Sequence, residues 1–257
     1  MIEMSETINK NDLKCEEWKE RTELLFAEGA MARLASAHVL VVGLGGVGGI
    51  ASEMIARAGV GAMTIVDADS VSPTNINRQL LALHSTVGES KARILERRLK
   101  DINPKIKLTV VEEFIKDDRT DALLDSAKFD YVADCIDTLS PKVNLIMGAL
   151  ERGYPLVSSM GAGAKVDPLA VEIKDIGKTH HCPLAHMLRK RLHRQGIRKG
   201  FRAVFSAEPL IAGSMILCDE QNKKSNVGTI SYMPSVFGCA IASEVIRNLC
   251  SDFISYE

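Results

Sequence analysis

A glycine-rich turn at residues 43–48 constrains this chain more than any other feature. Val39-Leu40-Val41-Val42 is a β-branched run that ends at Gly43 and predicts a buried strand. Val47, Ile50, Ala51, Met54, Ile55 and Ala58 then recur at three- and four-residue spacing, predicting a helix that Gly59 and Gly61 stop. Met63 to Val66 predicts a second strand, finishing at Asp67. Together these make one βαβ unit, whose parallel strands must be covered on both faces.

Gly43, Gly45 and Gly48 form G-x-G-x-x-G, with Gly46 inside the turn, and Asp67 lies 19 residues beyond Gly48 at the end of the next strand. Glycines let backbone approach a phosphate, the helix start offers N–H groups and positive dipole, and a carboxylate at that distance suits ribose hydroxyls. A tight turn with no ligand is the alternative, and the motif alone does not separate NAD or FAD from ATP. The stretch that follows bears on that choice: Asp67-Ala68-Asp69-Ser70-Val71, Asn75-Ile76-Asn77-Arg78-Gln79, then Gly88-Glu89-Ser90-Lys91. A triphosphate carries about four negative charges that Arg or Lys must meet. Arg78 and Lys91 are the candidates, although taken singly each is more often a solvated surface group.

Downstream, Glu89 to Ile102 predicts an amphipathic helix and Ile106 to Val111 a strand. Tyr131 to Ile136 predicts the next strand, Ser140-Pro141 a helix cap with its first-turn proline, Gly153 the end of that helix, and Leu156 to Ser159 a further strand. Strands are also expected at Val171 to Ile176, Ala203 to Phe205 and Thr229 to Tyr232, with helices at Leu184 to Gln195 and between Val236 and Leu249. The fold expected is therefore α/β: a Rossmann-like, doubly wound, mainly parallel sheet with a carboxy-terminal elaboration on the same domain. Residues 1–160 are expected to form the nucleotide-binding half of a single domain spanning 1–257, with residues 161–257 as an elaboration built onto the same sheet. Asp137, just past the strand from Tyr131, faces the same crevice as the glycine loop. Its carboxylate either holds magnesium or caps the following helix.

Composition narrows the classes. With 46% hydrophobic and 25% charged residues the chain has a globular balance, and a net charge of -1 excludes an overall basic polyanion binder. Six scattered cysteines without a C-x-x-C pair argue against a disulfide framework or a four-thiolate zinc clip and suit a reducing cytoplasm. Met1 to Asp12, carrying Glu3 and Glu6, does not read as a signal peptide, and no membrane-spanning run is found. Locally the charge is uneven: His186 to Arg202 holds Arg189, Lys190, Arg191, Arg194, Arg198, Lys199 and Arg202 with no acidic residue, a patch that either meets RNA phosphates or, as is usual for a charge run, is a plain solvated helix face. The loop Lys178-Thr179-His180-His181-Cys182-Pro183 supplies only part of a zinc site, and inert roles are expected for its His and Cys residues.

The glycine loop, the Asp67 to Gln79 stretch, Lys91 and Asp137 together resemble the ubiquitin-activating-enzyme-like (ThiF/MoeB-like) adenylating superfamily. That resemblance implies ATP and magnesium: Gly43, Gly45, Gly46 and Gly48 hold the nucleotide, Asp67 binds ribose with Asp69 in the same nucleotide site, Asn75, Arg78 and Lys91 contact phosphates, and Asp137 coordinates the metal. It also implies a homodimer in which Arg21 reaches the partner's triphosphate. Arg21, Arg78, Lys91 and Asp137 are thus the catalytic candidates. Over nearly the whole chain the resemblance is to one branch, the tRNA threonylcarbamoyladenosine dehydratases. It is carried by W-K-E-R-T-E-L-L from Trp18, V-D-A-D-S-V-S-P-T-N-I-N-R-Q from Val66, D-C-I-D-T-L-S-P-K from Asp134 and S-M-G-A-G-A-K from Ser159. The activity so implied is ATP-dependent cyclisation of threonylcarbamoyladenosine in tRNA to a hydantoin through an acyl-adenylate. Adenylation of a small sulfur-carrier protein is the alternative. The absent C-x-x-C pairs weigh against that alternative, and a sulfur-transfer protein partner is left open.

Overall fold

The computed structural model describes residues 17–220 and 223–254. The Met1 to Asp12 stretch and Cys15 lie outside the described residues. After a helical turn at Glu20–Glu23, helices α1 (Ala30–Ser36), α2 (Gly48–Arg57) and α3 (Lys91–Ile102) alternate with strands β1 (His38–Val42), β2 (Ala62–Val66) and β3 (Lys107–Val111). Next come α4 (Asp118–Asp125), β4 (Tyr131–Asp134), α5 (Leu139–Glu151), β5 (Leu156–Ser159), β6 (Val171–Asp175), α6 (Pro183–Arg194) and β7 (Arg202–Ser206). A hairpin of β8 (Met215–Glu220) and β9 (Lys223–Val227) precedes the long α7 (Tyr232–Leu249).

Seven strands form one sheet in the order β3-β2-β1-β4-β5-β7-β6, parallel except for β6, which runs against β7. The order reverses direction between β1 and β4, where Val42 pairs with Asp134. That reversal opens a crevice at the strands' carboxyl ends, the place where doubly wound sheets bind ligands. Alternation within β1 explains the two-sided cover. Val39 and Val41 enter a core built with α1, α2, α3 and α7, while Leu40 and Val42 enter one built with α4, α5 and α6. Burying both faces is what a parallel sheet requires.

Several sequence expectations need correction. Thr229 to Tyr232 is not a strand: Thr229–Ser231 is irregular and Tyr232 opens α7. Its β-forming residues yield to an 18-residue helix that sinks Met233, Phe237, Ile241 and Val245 into the core, a larger apolar gain than a short strand offers. The strand from Tyr131 stops at Asp134 rather than Ile136, because the Asp134 side chain accepts the Ile136 N–H and turns the chain out of the ladder. Helix α5 begins at Leu139, so Ser140 lies inside its first turn and does not cap it. The predicted helix at Glu89 starts at Lys91, since the Ser90 hydroxyl caps it by accepting from the Arg93 N–H. Helices α1 and α4 and the β8–β9 hairpin carry too weak a periodicity to be read from sequence.

Candidate active site at the sheet crossover

The glycine loop leaves β1 at the crossover. Gly43 has φ of +89°, and a Cβ there would lie 2.8 Å from the Cys135 carbonyl oxygen. A Cβ on Gly48 would sit 1.7 Å from the Gly43 carbonyl oxygen. One on Gly46 would meet Pro234 of α7 at 2.8 Å and the Arg78 carbonyl oxygen at 3.0 Å. The fold itself therefore demands glycine at these three positions. Gly45 differs. Its φ is not left-handed, and the nearest atom to a Cβ would be the Gln79 side-chain Nε2 at an ordinary 3.6 Å. The protein has room for a side chain at Gly45, and a ligand lying against the loop is what would need that room. Helix α7 buttresses α2 from behind, with Gly238 so close that a Cβ would come within 2.6 Å of the Val47 carbonyl oxygen.

Asp67, at the end of β2, holds the loop in place. Its carboxylate accepts the Leu44 N–H at 2.6 Å and the Asp69 N–H at 2.8 Å. Burial pushes the Asp67 carboxyl above the ordinary carboxylate value, opposed by the Lys91 ammonium and these two N–H groups. A carboxylate has about four acceptor positions, so two N–H donors leave capacity for hydroxyl groups. Lys91 is buried at the start of α3, and its ammonium donates to exposed Asp69 at 2.8 Å. Asn75 uses its side-chain oxygen to accept the Ser72 N–H and its carbonyl to accept the N–H groups of Arg78 and Gln79. That turn presses Arg78 backbone against Gly46 while the Arg78 guanidinium folds back on Thr74 O and Asn77 Oδ1, each at 2.9 Å.

Asp137 follows β4 on the other side of the crossover. It is exposed, and among the described residues no group donates to its carboxylate, which removes the helix-cap reading. The neighbouring Cys135 thiol is pushed up to about 12, chiefly by burial with Asp134 adding to it, so it stays protonated near neutral pH. The structure thus gathers the glycine loop, Asp67, Asp69, Asn75, Arg78, Lys91 and Asp137 at one end of the sheet. Arg21 is not among them. It is exposed on the Glu20–Glu23 turn, next to Lys19, which lies against Gly59 and Gly61 at the opposite edge, where β2 begins.

Two features escape a sequence reading. Gln79 is buried beside Gly45, and its Oε1 has no partner among the described residues. Beneath the Asp137 turn, Lys142 and Asp134 form a fully buried ion pair at 2.6 Å, joined by Ser158. A signal for Lys142 exists: it falls on the inward stripe of α5 beside Val143, Ile146 and Ala149, where a lysine is out of place.

Part of the basic segment forms the outer face of α6, with Ala185, Leu188 and Leu192 buried and Lys190, Arg191 and Arg194 exposed, while exposed Arg198 and Lys199 follow the helix. Arg191 donates to the Ser140 hydroxyl at 3.1 Å, three residues beyond Asp137. Arg202 leaves the patch: it begins β7, between β5 and β6, and pairs with Glu244 of α7 at 3.2 Å. Arg189 turns inward and donates to Thr179 Oγ1. Cys182 is the cap of α6, its sulfur accepting the Ala185 and Gly161 N–H groups at 3.5 and 3.4 Å. Among the described residues no three His, Cys, Asp or Glu side chains are grouped to hold a metal. No helix among them is long and apolar enough to cross a membrane.

A parallel sheet with a ligand cradle at its crossover, flanked by Arg, Lys and Asp, is the geometry of a nucleotide-binding adenylating domain, and comparison with known proteins agrees. The chain belongs to the ThiF family, whose model matches residues 20–255. Its branch is that of the tRNA threonylcarbamoyladenosine dehydratases. The Bacillus subtilis protein of that name is 37% identical over 240 residues, covering 90% of this chain and 94% of its own length. The crystal structure of the Escherichia coli tRNA N6-threonylcarbamoyladenosine dehydratase in complex with ATP superposes with a TM-score of 0.84 at 35% identity, covering 92% of this chain and 95% of that one. By contrast, an Escherichia coli molybdopterin-synthase adenylyltransferase is 40% identical over 134 residues only, 52% of each chain. The sulfur-carrier branch is the more distant one.

Proposed function

We propose that this chain uses ATP to dehydrate threonylcarbamoyladenosine in tRNA to its cyclic hydantoin form. The observation that carries this is the room at Gly45 in the crossover crevice, within a loop that Asp67 holds and that Arg78, Lys91 and Asp137 surround. The threonyl carboxylate attacks the α-phosphate, pyrophosphate leaves, and the acyl-adenylate carries AMP in place of an oxide leaving group. A carbamoyl nitrogen then attacks the acyl carbon, loses its proton and expels AMP.

In this reading the glycine loop's N–H groups receive phosphate, and Asp67 accepts from ribose hydroxyls. Lys91 exchanges part of its contact with Asp69 for phosphate oxygens, and Arg78 swings from Thr74 and Asn77 to do the same. Asp137, whose carboxylate has no donor among the described residues, would hold magnesium, which when bound offsets phosphate charge. One carboxylate suffices because such a magnesium takes its remaining ligands from phosphates and water. Lys190, Arg191 and Arg194 line the approach for tRNA beside Ser140, in a half spanning 161–257 that carries substrate and dimer surfaces.

Exposed Leu169, Leu210 and Ile211, with Met215 at the start of β8 and Tyr232 at the start of α7, support a homodimer, in which exposed Arg21 serves the partner's nucleotide. A tRNA substrate and free Cys135, Cys182, Cys239 and Cys250 fit the cytoplasm. No sulfur moves in this reaction, so it assigns no chemistry to a sulfur-transfer partner. The test is mass spectrometry of nucleosides from threonylcarbamoylated tRNA after incubation with protein, ATP and magnesium, alongside AMP release. A loss of one water from the modified nucleoside with stoichiometric AMP is expected; unchanged tRNA would overturn the reading.

A further inference from the structure

The buried Lys142–Asp134 pair has no part in the chemistry above, yet it sits directly beneath the turn that carries Asp137. Asp134 Oδ2 accepts from Lys142 Nζ at 2.6 Å and from the Ser158 hydroxyl at 2.6 Å, while Lys142 also donates to Ser158 Oγ at 3.1 Å. The other oxygen, Oδ1, accepts the Ile136 N–H at 3.0 Å. All three side chains are wholly buried. Such a pair gives little net stability, because desolvating two charges offsets their attraction and apolar residues of similar volume often serve as well. What an apolar pair cannot supply is an acceptor for the Ile136 N–H.

That bond fixes the first residues after β4. Cys135 N–H donates to the Val42 carbonyl at 2.8 Å, and the Cys135 carbonyl closes on Gly43 so tightly that no Cβ fits between them. With the backbone tied at Cys135 and Ile136, the Cα of Asp137 has one position relative to the glycine loop. We infer that Asp134, held in place by Lys142 and Ser158, is a positioning residue that locks the Cys135–Asp137 stretch and so sets how tightly Asp137 holds magnesium. This rests on the reading of Asp137 as the metal's carboxylate. Residues that orient a metal ligand from behind change metal affinity by about 10- to 100-fold when removed.

The test compares two double variants, since Lys142→Met alone would strand a buried carboxylate. Asp134→Val/Lys142→Met removes the pair and the acceptor; Asp134→Asn/Lys142→Met removes the charges but keeps an oxygen for Ile136. Calorimetry would titrate magnesium into protein loaded with the α,β-methylene analogue of ATP, with analogue binding in EDTA and thermal melting measured in parallel. The Val/Met variant should bind magnesium about 10- to 100-fold more weakly, with a much smaller change in EDTA, and the Asn/Met variant should recover most of that loss. Wild-type magnesium affinity in the Val/Met variant, or no recovery in the Asn/Met variant, would overturn the inference. Should the Val/Met variant fail to fold, Ser158→Ala takes its place, with a smaller weakening expected and an unchanged affinity counting against the inference. Asp137→Ala separates the two levels: unaltered magnesium binding there overturns the metal reading and this inference together. A weakened Asp137→Ala beside an unaffected Val/Met variant overturns the inference alone.

Discussion

Gly45→Ala separates what the fold needs from what a ligand needs. An alanine Cβ at this position would lie 3.6 Å from Gln79 Nε2 and 3.9 Å from Gln79 Cδ, ordinary van der Waals distances, and the backbone is not left-handed. Glycine-to-alanine changes at compatible positions stabilise by about 0.4 to 1 kcal/mol through the unfolded chain. For a domain of this size that is a rise in Tm of about 1 to 4 °C. A methyl group in a loop that cradles phosphate would displace the nucleotide. A displacement of about 1 Å costs about 100-fold in rate, or about 2.7 kcal/mol of barrier. The expected pattern is therefore unchanged or raised stability together with a large loss of kcat/KM for ATP. Gly48→Ala is the contrast: its Cβ would lie 1.7 Å from the Gly43 carbonyl oxygen, so backbone must part by about 1.3 Å and both stability and activity should fall. Melting curves and AMP formation on modified tRNA, measured on both variants, check this. Wild-type ATP kinetics in Gly45→Ala would refute a nucleotide in the loop, and a lowered Tm would refute the steric argument.

Asp137→Ala should abolish AMP formation with an unchanged melting temperature, because the residue is exposed and nothing in the described fold leans on its carboxylate; normal turnover at saturating magnesium would contradict it. Arg78→Ala and Lys91→Ala should each cost about 2 to 4 kcal/mol of transition-state stabilisation, read as kcat/KM for ATP, and normal rates in both would mean the phosphates lie elsewhere. Mixing inactive Arg21→Ala with inactive Asp137→Ala subunits should restore activity, since one site of a mixed dimer keeps both groups; a monomeric active species in sedimentation would argue against it. Reversing Lys190, Arg194 and Arg198 to Glu should raise the Michaelis constant for tRNA and lower the salt slope by about one for each phosphate no longer neutralised. Affinity for ATP should change little, and an unaltered salt series would leave α6 an ordinary solvated face.

Much of the nucleotide half was legible in the sequence because it is local. A β-branched run ending in glycine, an apolar helix period and an aspartate at the end of the next strand lie within 30 residues, and β1, α2 and β2 form where that pattern puts them. The resemblance of the longer strings supplied the branch, which composition and periodicity do not contain. What the sequence by itself left open were choices settled by neighbours distant along the chain. Gly43 and Gly48 look the same as Gly45 in the motif, and only the close approaches of Cys135 and of the Gly43 carbonyl in the folded loop, with Pro234 and Arg78 at Gly46, show that three serve the fold while Gly45 leaves room for a ligand. Thr229 to Tyr232 has strand propensity, but burial of Phe237 and Ile241 against α2 decides for helix. Arg202 reads as part of a basic run until its place at the start of β7 and its pairing with Glu244 of α7 separate it from α6. Lys142, Asp134 and Ser158 belong to three separate elements, and only packing of α5 against β4 and β5 makes them one buried group. Local pattern fixes an element's period and its ends within a few residues; which side chains meet across the crossover depends on long-range packing, which a single chain of letters does not record.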